Sequence, residues 1–368
     1  MFDTKTYSGG PLSKAYADLR MRFETVYEVT QMKGDAEAHP LLSPDDEFAD
    51  FENMDKGNIT GSVAKTPAML PKEYARPALL EGLRLEKKLG TNPFKFGMIG
   101  STDAHTGLPT SREENNFSKA HILEPDAHRY EHALIVGAKP ELSIMATDVG
   151  AAGLAAVWAR ENTRESLWDA MKRKEVYATT GTRLKVRVFG GWDFTADEVH
   201  RPDFARQGYK RGVPMGGDLT DAPAGKAPAF MVRALRDADG ANLDRIQIIK
   251  GWLDSAGKTH ERIFDVAVSD GRTIEANGRC KTPVGNTVNV ADASFTNTIG
   301  DAVLVAHWVD PEFDATQSAF YYVRVIEIPT PRWTAYDAKF FKLKMPAAVK
   351  MQLQDRAYTS PIWYTPAK

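Results

Sequence analysis

Apolar residues recur along this chain with two different periods, and the period changes near Tyr177. Ahead of that point Leu12, Ala15, Tyr16, Leu19 and Phe23 fall on one face of a helix predicted over residues 11–24, with Ser8-Gly9-Gly10 as the loop before it. Residues 26–30 predict a strand, 71–89 a second helix and 94–99 a second strand. Helix and strand in alternation predict a parallel sheet or barrel. Residues 163–174 predict another amphipathic helix, with Leu167 and Met171 inward and Arg164, Lys172 and Arg173 outward.

Beyond Tyr177 the period becomes two. Residues 183–189, 230–235 and 246–249 alternate strictly, and runs at 263–268, 303–308 and 319–328 complete at least six short strands. Turn residues between them point to an antiparallel β-sandwich, half-buried on each sheet. Asp237-Ala238-Asp239-Gly240 and Asp254-Ser255-Ala256-Gly257 read as hairpin turns, and neither carries the further ligands of a calcium loop. The pattern divides the chain into an α/β region over 1–180, a β-sandwich-like region over 181–335 and a C-terminal segment over 336–368 that packs back on the first.

Composition narrows the function classes. At 368 residues, 47 basic and 49 acidic side chains leave a net charge of -2, so no global field favours nucleic acid or an anionic membrane. With 42% hydrophobic residues and no run approaching the ~20 that a membrane helix needs, the expectation is a protein with no membrane partner. The opening residues have no basic segment followed by an apolar one, so the chain as given shows no signal peptide, and localisation stays open. The single cysteine, Cys280, rules out an internal disulfide and a cysteine-based zinc cluster, so a metal would be held by His, Asp and Glu.

Candidate chemistry concentrates in the segment GMIGSTDAHTG, residues 97–107. Asp103 and His105, two apart where a strand is predicted to end, can point the same way and reach one cation. A strand-end turn in which Asp103 caps the loop accounts for the same spacing. Asp35, Glu37 and His39 alternate after the first predicted strand, where they could add ligands or substrate contacts to the same pocket, or form a polar loop closed by Pro40. Glu28 sits among apolar neighbours inside that strand, as a carboxylate supporting the site would. Arg112 could clamp an anionic substrate group through its planar fork and Asn116 could donate to a leaving oxygen, or both belong to a charged loop.

Six segments together carry a resemblance: VYEVTQMKGDAEAHPLLSPDDEFADFE, FKFGMIGSTDAHTG, SREENNFSKAH, VYATTGTRLKVRVFGGWDF, AFYYVRVIEIPTPRWTAYDA and RAYTSPIWYTP. They resemble the C-terminal part of the family known as domain of unknown function 3604, in the PHP (polymerase and histidinol phosphatase) superfamily, near the CehA/McbA-type metallohydrolases. The resemblance implies a distorted (β/α)7 barrel, here partial, with a β-rich region attached. It also implies a cluster of divalent metals at the strand ends, zinc, manganese or iron, and hydrolysis of a phosphate, carboxyl or carbamate ester of a small molecule. The D-x-H motif of PHP proteins falls on Asp103 and His105 as metal ligands. His39 becomes a further ligand candidate, and Arg112 and Glu37 become candidates for catalysis.

The H-x-H motif that opens PHP proteins is missing from these residues. A two-metal hydrolase needs more ligands than Asp103, His105 and one of Glu37 or His39 can offer. Two expectations from different classes follow. One is a metal-dependent hydrolase whose barrel is completed by an N-terminal half or by self-association across open strand edges. The other is a catalytically silent binding or structural remnant, folded around the β-rich region.

Overall fold

The chain is described by a computed structural model covering residues 1–367. Helices form near the places the pattern predicts: Lys14–Phe23, Ala75–Leu89 and Arg164–Lys172. Ser13 and Thr163 cap the first and third by accepting a backbone N–H. The second ends at Gly90 in the left-handed conformation, with Lys87 and Lys88 in its last turn. The first helix corrects the sequence reading. It turns Ala17 inward and leaves Tyr16, Leu19 and Phe23 exposed, so of its expected apolar face only Leu12, ahead of the helix, is buried in the core.

Three layers build the molecule. The middle one is an eight-stranded sheet in which Ala319–Glu327 pairs antiparallel with Leu243–Leu253 along one edge and with Arg356–Thr359 and Ile362–Tyr364 along the other. Val176–Thr179 and Leu154–Val157 extend it past Arg356–Thr359. A four-stranded antiparallel sheet, with Ala229–Leu235 between Val303–Val309 and Lys185–Gly191, covers one face. Helix Ala75–Leu89 covers the other, beside a small sheet in which Val26–Gln31 runs parallel to Gly97–Gly100.

Each face of the middle sheet has its own core. Tyr321, Val323, Val325 and Ile248 meet Val186, Val188, Phe230 and Val232 of the outer sheet. Phe320, Tyr322, Ile249 and Trp363 meet Leu79, Leu83, Val29 and Met98 on the opposite face. The period of two sends neighbouring residues of one strand into different cores. All nine residues of Ala319–Glu327 are therefore buried, which corrects the expectation of half-buried strands.

All six predicted strands are present. The turn at Asp254 joins Leu243–Leu253 to Thr259–Val268 as a hairpin, and Gly257 in it has φ +82°. The turn at Asp237 closes with Gly240 donating to the Asp237 carbonyl, but it carries the chain from the outer sheet to the middle one and makes no hairpin. No closed barrel is present among the described residues. Strand pairing is mostly antiparallel, and the PHP-type barrel is not supported. The parallel pair Val26–Gln31/Gly97–Gly100 carries the βα alternation that the sequence shows, and the other parallel pairing, Asp218–Leu219 with Ile362–Tyr364, lies at an edge of the middle sheet.

Candidate functional site

Gly97–Gly100 ends against the middle sheet so closely that a Cβ on Gly100 would stand 2.9 Å from the Leu154 carbonyl oxygen and 3.1 Å from that of Thr179. The chain then leaves the strand at Ser101, whose backbone N–H donates to Thr30 and whose hydroxyl donates to Glu28 on the neighbouring strand. Asp103 follows in the left-handed region at φ 51°. That turn, not strand alternation, brings Asp103 Oδ1 to 3.6 Å from His105 Nδ1.

Two lysines share this place. Lys33 Nζ lies 2.8 Å and Lys119 Nζ 2.6 Å from Asp103 Oδ2. Lys33 stands where the first parallel strand ends. Lys119 is fixed by its backbone, whose carbonyl accepts from the His105 N–H at 2.7 Å, and its Nζ reaches the Asp103 carbonyl at 2.8 Å and His105 Nδ1 at 3.0 Å. Burial works to raise the Asp103 carboxyl, but hydrogen bonds from Lys119 and Lys33 hold it below the usual carboxylate range. Burial lowers the Lys119 ammonium and the Lys33 charge adds to that, against the pull of Asp103.

The other predicted residues lie apart, with no hydrogen bond or ion pair to Asp103 or His105 among the described residues. Glu37, 1% exposed, accepts from Arg76 at 2.5 Å, from Arg324 at 3.1 Å and from the Tyr322 hydroxyl. Asp46 completes this buried cluster, 2.7 Å from each of the same two arginines. Against their burial, the Arg76 and Arg324 guanidiniums keep both carboxyls below the ordinary range. Both oxygens of Glu37 are thus committed to holding the Ala75–Leu89 helix against the middle sheet. His39 is also buried: its Nδ1 accepts from the Leu41 N–H at 3.1 Å and its Nε2 meets Asp55 at 3.0 Å. Arg112 pairs with Glu114 at 3.2 Å and Asp239 at 3.1 Å. Asn116 is buried, and its side chain accepts from the Ser118 N–H.

Asp103 and His105 are the two side chains here whose donor atoms suit a divalent ion, and Lys119 Nζ already contacts both. They do not fit a two-ion centre, because the nearest other charges are ammonium groups. Among the described residues no three His, Cys, Asp or Glu side chains gather so that they could hold an ion. Sequence reasoning missed Lys33 and Lys119. Lys33 carried a signal, its place just after a predicted strand, whereas Lys119 lies in a loop without periodicity and reaches Asp103 only through the fold.

Fold and site define a three-layered, β-rich α/β protein with an Asp–His pair at the end of a short parallel strand, bracketed by lysines. The profile of the family described as protein of unknown function (DUF3604) matches residues 1–366, and the chain belongs to that family. Among proteins with curated descriptions, none matches it.

Proposed function

We propose that the Asp103–His105 site serves metal-dependent hydrolysis of an anionic ester, a phosphate, carboxyl or carbamate ester of a small molecule. The observation that carries this reading is the 3.6 Å approach of Asp103 Oδ1 to His105 Nδ1 at the C-terminal end of a parallel strand. The resemblance of the D-x-H segment to that of PHP-type metallohydrolases supports the reading as well. A bound zinc, manganese or iron ion would supply Lewis acidity and a water of lowered pKa. Asp103 and His105 would be its protein donors, with other positions left to water, substrate or a second chain. Lys33 and Lys119 place two positive charges where an anionic substrate group would enter, and the depressed Lys119 ammonium can give up a proton more readily than an ordinary lysine.

A second reading has its own support. With two ammonium groups on one carboxylate, the cluster is a self-satisfied ion pair, as a non-catalytic binding or structural protein would have. Metal content of the purified chain, beside D103A/H105A, separates the two. About one equivalent of zinc, manganese or iron in the parent and none in the folded variant is expected from the hydrolase. A metal-free parent with intact secondary structure leaves the second reading standing.

A further inference from the structure

Between residues 111–114, 181–182, 237–241 and the end of strand Ala319–Glu327 lies a small cavity of about 70 Å³. Space of that size takes about two waters. Glu113, Glu114, Asp237, Asp239, Glu327 and Asp355 all line it. Arg112 lines it too and pairs with Glu114 and Asp239, which leaves four carboxyl groups around one small space with no cation paired to them, an arrangement that folding alone does not favour.

Of these four, Asp237 accepts backbone N–H groups of Arg183 and Asp239 on its two oxygens, whereas Glu113, Glu327 and Asp355, likewise without an ion pair among the described residues, each have one side-chain or backbone donor. Thr182 donates to Glu327 at 2.6 Å, Thr180 to Asp355 at 2.6 Å and the Trp333 N–H to Glu113 at 2.5 Å. Burial raises all three, the Glu113 carboxyl to about 8 and that of Asp355 to about 6, and the Asp355 charge raises both glutamates further. A second observation points the same way without involving charge. Thr330, 8% exposed, lines the cavity, and its buried Oγ1 has no hydrogen-bond partner.

We infer that this cavity binds a hard divalent cation, calcium or magnesium, through one or two carboxylates of Glu113, Glu327 and Asp355, with Thr330 and water supplying further oxygens. All-oxygen surroundings select calcium and magnesium over zinc. Because no three acidic side chains gather on one point, the ion keeps water in its coordination shell, for which the cavity has room. A double positive charge there also neutralises the repulsion between Glu327 and Asp355.

The test is thermal unfolding of the EDTA-stripped full chain above neutral pH, with and without calcium or magnesium chloride. At salt well above Kd the midpoint is expected to rise by about 5 °C. The same rise is expected in D103A/H105A, so failure of the hydrolase reading leaves this result untouched. It is expected to vanish in E327Q/D355N, which removes buried like charge and is checked for folding by circular dichroism. An unchanged midpoint in both salts overturns the inference, as does a rise that survives in E327Q/D355N. Terbium offers a readout on the parent itself. Emission sensitised by Tyr336, which lines the cavity, is expected to be displaced by calcium and lost in Tyr336→Leu. No calcium-displaceable emission overturns the inference as well.

Discussion

Asp103 and Glu37 show how differently two carboxylates of similar sequence setting can end. Each follows a strand of the small sheet, and the sequence offers both as candidates for the same site, Glu37 with a polar loop as the alternative. Asp103 stays near solvent with two lysines, while Glu37 is enclosed by Arg76, Arg324 and Tyr322. Arg324 comes from nearly three hundred positions away, so no local pattern announces it. Titration follows the same division. Burial raises Asp35 to about 7, Glu113 to about 8 and Asp355 to about 6. Between the ordinary carboxylate range and those values the folded chain holds protons that the unfolded chain has released, so stability is lost as pH rises. Asp46 acts in the opposite sense: although burial opposes it, Arg324 and Arg76 hold it low, and its contribution is lost as pH falls below the ordinary range. Urea unfolding across pH is expected to place maximum stability on the acid side of neutrality, with Glu113→Gln flattening the alkaline limb. A profile with no decline above neutrality contradicts these assignments.

Among elements, the strand Gly97–Gly100 shows what sequence pattern can and cannot carry. Its apolar run and its glycines are visible in the sequence, as is the D-x-H that follows. Its neighbours are not, because Leu154 and Thr179 reach it from strands far along the chain. Gly100→Val is expected to cost about 1–3 kcal/mol in urea unfolding, since its added carbons meet backbone that cannot yield. Gly107→Ala, in open space, is expected to leave stability within about 0.5 kcal/mol. Helix Lys14–Phe23 makes the complementary point. Its length follows from propensity and its Ser13 cap, but which face turns inward depends on what packs against it, and that is Ala17.

At the scale of the whole molecule, the middle sheet is assembled from strands distant in sequence. Arg356–Thr359 and Ile362–Tyr364 lie beside Ala319–Glu327, and their side chains feed both cores: Tyr358 and Trp363 one, Ile362 and Tyr364 the other. Removing residues from 352 onward deletes those four buried side chains, at roughly 2 kcal/mol each. The sum of about 8 kcal/mol rivals the net stability of an ordinary domain. The shortened chain is expected to lose its cooperative unfolding transition, measured by circular dichroism. A shortened chain that still unfolds in one sharp step contradicts this account of the core.

By itself the sequence determined the kinds of element, because period and capping act over a few residues. Three of the helices, six of the strands beyond Tyr177 and the turn at Asp254 follow from local pattern, as does the nearness of Asp103 to His105, though a left-handed turn and not the predicted alternation sets its geometry. Tertiary structure alone decided what those elements enclose. It replaced the expected barrel with a sheet buried on both faces, tied Glu37 to Arg324, brought Lys33 and Lys119 to Asp103, and gathered Glu113, Glu327 and Asp355 around one cavity. These are contacts between residues tens to hundreds of positions apart, and their energies come from burial and charge pairing that exist only once the layers have closed.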